Sequence, residues 1–77
     1  MNRPRKKHMT NQEVADLLFL THSAVSRLRN GTRSPSLQTM VTVETALDWP
    51  LNEQITAKIE DTYATYLEGQ IAKIANG

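Results

Sequence analysis

The chain has 77 residues, with nine Lys and Arg against eight Asp and Glu and a net charge of +1; that length supports one small domain whose single core yields only a few kcal/mol and gains from oligomerisation. The absence of cysteine excludes disulfides, thiolate metal sites and a cysteine nucleophile. No apolar run approaches the roughly 18 residues of a membrane span and no signal-peptide pattern is present, so a soluble cytoplasmic protein is expected.

The small net charge hides a division. Residues 1–33 carry seven basic and two acidic side chains, net +5, whereas residues 34–77 carry two basic and six acidic, net −4. A chain basic at one end and acidic at the other is suited to approach a polyanion in one orientation.

Residues 1–9 read as a basic arm, with Arg3, Arg5, Lys6 and Lys7 and no amphipathic period. The arm is either a solvated tail or a strand of charge that follows phosphates or enters a minor groove on DNA. Residues 10–49 form the next unit. Thr10 and Glu13 have the spacing of a capping box, and Val14, Leu17 and Leu18 fall on one helical face behind it. Thr21 is positioned to cap a second helix in which Val25 and Leu28 face inward, leaving His22, Ser23, Ser26 and Arg27 on the opposite flank. Asn30-Gly31 ends that helix, since glycine takes a left-handed cap without strain. Two helices below about 12 residues are marginal alone; Ser36, Leu37, Met40, Val43 and Leu47 supply a third beyond the Arg33-Ser34-Pro35 turn.

Trp49-Pro50 stops the third helix, because the residue before proline is pushed out of the helical region, and Trp49 is expected to close the bottom of the core. Residues 50–77 then read as one long amphipathic helix of roughly 35 Å, its stripe running through Ile55, Ile59, Tyr63, Tyr66, Leu67, Ile71 and Ile74. Either its first half completes the core, or its second half pairs with another chain in a symmetric homodimer. The second option makes Ile59, Tyr63, Tyr66, Leu67, Ile71 and Ile74 the interface.

The ordered run Val14-Ala15, Leu20-Thr21, Ser23, Val25-Ser26, Asn30-Gly31, Pro35-Ser36-Leu37 and Ala46-Leu47 resembles the lambda-type repressor and Cro helix-turn-helix family, also called the XRE family. It is similar in particular to small regulators of actinobacteria and their phages, over Thr10 to Trp49. The resemblance implies an all-α, compact helix-turn-helix domain that binds double-stranded DNA as a transcriptional regulator, with a palindromic operator and a role such as phage immunity or lysogeny control. By the same resemblance His22, Ser23, Ser26 and Arg27 read bases, while Asn11, Gln12, Thr21, Thr32 and Arg33 touch backbone. Three features depart from the family pattern. Phe19 stands at the turn glycine, which suggests a turn rebuilt around the ring. Arg29 stands at a usual Glu and Glu44 at a usual small residue, suggesting that the two form a swapped ion pair. The helix that ordinarily precedes the capping box is not recognisable in residues 1–9.

Other chemistries lack residues to carry them. His8 and His22 are the only histidines and have no carboxylates at ligand spacing, so no metal is expected. There is no glycine-rich phosphate loop, and Ser23, Ser26, Ser34 and Ser36 have no base beside them. Neither an enzyme nor a cofactor or small-molecule site is expected. The competing class is a protein-interaction module, such as an antitoxin or antirepressor acting through its C-terminal helix.

Overall fold

Side-chain capping fixes where the first three helices begin. The computed structural model describes residues 9–76 and contains α1 (Asn11–Leu18), α2 (His22–Asn30), α3 (Leu37–Leu47), α4 (Leu51–Ile59) and α5 (Tyr63–Ala75). The Thr10 hydroxyl accepts from the Glu13 N–H at 3.2 Å and the Glu13 carboxylate accepts from the Thr10 N–H at 2.8 Å, completing the expected box. Thr21 and Ser36 cap α2 and α3 by accepting from the amides of Ala24 and Thr39. Pro50 has no side chain able to cap α4; Glu44 of α3 does so instead, accepting from the Leu51 N–H at 2.8 Å.

The ends of α1, α2 and α4 follow one pattern. A residue in the left-handed region lets the following amide reach back five residues, which satisfies a terminal carbonyl. Gly31 does this for α2, where Thr32 N–H donates to the Arg27 carbonyl. Phe19 does the same for α1 at φ 58°, with Leu20 N–H donating to the Ala15 carbonyl at 3.0 Å. The turn is therefore not rebuilt around Phe19, as its substitution for glycine had suggested. Phenylalanine adopts the conformation a glycine would take, and its ring stands 86% exposed.

Residues 50–77 do not form one long helix. The chain breaks at residues 60–62, where Asp61 takes a left-handed φ of 59°, a conformation short polar residues tolerate better than most. Thr62 N–H donates to the Ala57 carbonyl and Asp61 N–H to the Lys58 carbonyl, so α4 closes with its carbonyls satisfied and α5 turns back. A straight rod would have held half of its stripe off the domain. Folded back, α5 packs on α2, α3 and α4 and buries Tyr63, Leu67 and Ile71. Those three belong to the chain's own core and do not form a face for a second chain.

The core joins Val14, Ala15 and Leu18 of α1, Val25 and Leu28 of α2, Met40, Val43 and Leu47 of α3, and Ala57 of α4 to the α5 residues. Trp49 closes its lower end as expected and lies against Tyr63, ring centroids 4.8 Å apart. The one buried polar side chain among the described residues is Gln54. Its amide nitrogen donates to the carbonyls of Met40 and Trp49, at 2.8 and 2.9 Å, and its oxygen accepts from the Tyr63 hydroxyl at 2.7 Å. A buried amide with all these bonds made fixes the register of three segments, whereas an unmade one is costly.

Candidate nucleic-acid interface

The face of interest is the flank of α2 that its buried residues leave over. Ala24, Val25 and Leu28 pack inward, so His22, Ser23 and Arg27 are exposed and Ser26 is half-buried. The first amides of any α-helix have no intrahelical partner; in α2 the Thr21 hydroxyl takes the Ala24 amide, which leaves those of His22 and Ser23 at the helix end. Such an end favours an anion. Arg27 sits one turn further along the same flank.

The flanking positions divide. Gln12 is exposed at the start of α1, with its amide nitrogen donating to Asp16 one turn away at 2.9 Å. Asn11 is half-buried and its side-chain oxygen accepts from Arg29 at 3.0 Å, so of the two neighbours Gln12 is the more available. Thr32 directs its hydroxyl to the Asn30 carboxamide oxygen at 2.7 Å, and its amide to the same atom at 3.0 Å, which pins the loop after α2. Arg33 is exposed and borders an open hollow of about 390 Å³ shared with Leu18, Phe19, Leu20, Ser36, Gln38, Thr39 and Thr42. Arg3, Arg5, Lys6 and Lys7 lie outside the described residues.

Arg29 has no part in that exposed flank, nor does it pair with Glu44, which is engaged at the start of α4. Its guanidinium meets the Glu68 carboxylate of α5 edge to edge, Nε to Oε2 at 2.6 Å and Nη2 to Oε1 at 2.9 Å. Nη1 donates to the Met9 carbonyl at 2.8 Å and to Asn11. The sequence pointed to a charge exchange at Arg29 but not to its partner, since Glu68 is remote in the chain and sits beside the apolar stripe of α5 like any solvated acid. Gln54 was equally hidden, because a glutamine next to Ile55 reads as the polar side of a helix.

Among the described residues no group of acidic and histidine side chains is arranged to hold a metal ion, and no helix is long and apolar enough to cross a membrane. The arrangement is that of a packed helix with His22, Ser23 and Arg27 on its free flank and Arg33 exposed in the loop beyond its end.

A family model described as helix-turn-helix matches residues 5–54, which is most of the chain and contains α1, α2 and α3 in full. The chain belongs to that helix-turn-helix family, in its XRE-type form. It is accordingly a DNA-binding transcription regulator. No curated protein and no solved structure matches it.

Proposed function

We propose that the protein is a sequence-specific repressor that lays α2 in the major groove of duplex DNA. His22, Ser23, Ser26 and Arg27 read base edges there, with Arg27 suited to grip guanine through O6 and N7. Gln12, Thr21, Arg33 and the amides at the start of α2 hold phosphates, with Asn11 and Thr32 bracing the ends of that set, and Arg3, Arg5, Lys6 and Lys7 add salt-sensitive affinity from the arm. The observation that carries this reading is the exposure of His22, Ser23 and Arg27 on one flank of a helix whose other flank is fully packed.

Two copies acting on a palindromic operator would set their α2 helices about one DNA turn, roughly 34 Å, apart. With Tyr63, Leu67 and Ile71 committed to the core, the pairing surface reduces to Ile59, Tyr66 and Ile74, all exposed. Repression of the kind that maintains phage lysogeny, on the bacterial nucleoid, is the setting such a protein fits. A second reading draws on Ile59, 78% exposed, and on Tyr66 at the rim of a 310 Å³ hollow with Glu53 and Glu60: a protein partner gripped by α4 and α5, as in an antitoxin or antirepressor. Selection of bound sites from random duplexes, with sizing of the complexes, separates the two. Enrichment of a palindrome bound by two copies supports the repressor; a monomer that enriches no sequence contradicts it.

A further inference from the structure

We propose that the Arg29–Glu68 pair positions the DNA-binding surface, so that α5 belongs to the reading apparatus and is more than a lid on the core. Arg29 lies two residues from Arg27 on α2 and faces the other way, into the domain. Its three guanidinium nitrogens reach two segments remote from α2: Nε and Nη2 meet Glu68 in the middle of α5, and Nη1 meets both the Met9 carbonyl and the Asn11 side chain at the start of α1. The stretch from Met9 to Asn11 is tied to the proposed interface, as is α2 itself, and Glu68 anchors both to α5. α2 carries the base readers, the start of α1 carries Gln12, and Met9 is the root from which the basic run at residues 3–7 departs. One planar group thus fixes the rake of the reading helix against the phosphate-facing end of α1 and the origin of the arm. The planar fork suits this task in a way that an ammonium does not, since it presents several donors in fixed directions. With its donors committed, Arg29 is a positioning residue that leaves DNA contact to Arg27 and Arg33.

Glu68 makes the idea testable through the sign of an effect. It is a negative charge in a protein that binds a polyanion, so on charge alone Glu68→Gln tightens binding to every duplex. If the pair positions α2 as proposed, the same substitution weakens binding to the duplex selected by the native chain. The loss expected is about tenfold, the scale of one misaligned base contact, while affinity for a scrambled duplex stays level or rises.

The experiment measures the full-length native chain, Glu68→Gln and Arg29→Lys against both duplexes, with a thermal melt of each to set the temperature well inside the folded range. A fall in the ratio of selected to scrambled affinity, for both variants while folded, is the expected result. Folded variants that keep the native ratio overturn the proposal and leave the pair a stabilising contact. A native chain that selects no sequence overturns the base-reading role of α2 and the proposal with it. Should both variants fail to fold, the decision falls to the Arg29 Nε–H signal of the native chain by NMR. Protection from exchange in the free and DNA-bound protein supports the clamp, and rapid exchange in either state refutes it.

Discussion

Phe19 carries two costs at one position. A left-handed φ in a residue with a β-carbon costs roughly 1–2 kcal/mol, and its ring gains little from burial because it is almost wholly exposed. The α1–α2 turn keeps the conformation because the Leu20 amide needs it to reach the Ala15 carbonyl. Phe19→Gly is therefore expected to stabilise the fold by about 1 kcal/mol, less what glycine adds to the freedom of the unfolded chain, seen as a rise of a few degrees in Tm. A fall in Tm would mean that the ring packs against its neighbours. Tyr63 presents the opposite case. Its hydroxyl is committed to Gln54, and burial pushes the phenol well above its ordinary pKa of 10.0. A raised pKa means that the folded state holds the proton longer. The associated stability is complete below pH 10 and is lost as the pH rises past the unfolded value. Tyr63→Phe leaves the Gln54 oxygen without its donor and should cost about 1–3 kcal/mol near neutrality. Denaturant titrations at pH 7 and pH 11 check both points, since the variant should lose less stability than the native chain on going to the higher pH. Equal losses would show that Tyr63 is not responsible for the alkaline sensitivity.

Among the elements, the first two helices were legible because Thr10 and Thr21 announce them by hydrogen bonds that span only three residues, and the third from the apolar spacing of Leu37, Met40, Val43 and Leu47, with Ser36 proving to be its cap. The division between α4 and α5 was not. Ile55, Ile59, Tyr63, Leu67 and Ile71 recur at steps of four, and no proline or glycine interrupts residues 51–68, so periodicity alone describes a continuous rod. Two facts break it. Asp61 accepts the left-handed conformation, and α4 buries Gln54 and Ala57 in preference to Ile55 and Ile59. Burying the glutamine defies hydropathy but places its amide against the Met40 and Trp49 carbonyls, which local pattern cannot reveal. The stability of the domain depends on this arrangement. Fully burying side chains such as Leu67, Ile71 and Tyr63 contributes about 1.5–3 kcal/mol each, together comparable with the whole stability of many small domains. Ending the chain after Glu60 should accordingly abolish the cooperative melt and the helical circular dichroism signal. A truncated chain that still melts cooperatively would show that α1 to α4 suffice.

At the scale of the molecule, the charge division is a prediction about orientation. Residues 1–33 hold seven of the nine basic side chains and residues 34–77 six of the eight acidic ones; the two sets meet in the fold where Arg29 pairs with Glu68 and Arg33 shares a hollow with Asp61, which leaves Arg27 and the arm as the charges expected to set the approach. The candidate readers were legible because a polar flank on a short capped helix is a local pattern; the brace behind them was not, because Glu68 lies 39 residues from Arg29. Deleting residues 1–8 removes Arg3, Arg5, Lys6 and Lys7. It should weaken binding to selected and scrambled duplexes alike and flatten the dependence of log K on log salt by about 0.9 for each phosphate that the arm neutralises. An unchanged slope would mean that the arm neutralises none. Arg27 should behave differently, because a base contact discriminates whereas a phosphate contact does not. The most direct measurement compares native chain and Arg27→Ala on the selected duplex and on the same duplex with the contacted guanine replaced. The native chain should lose about 1–3 kcal/mol on that replacement and Arg27→Ala almost none; an undiminished penalty in the variant would contradict the reading of α2 as the helix that recognises sequence.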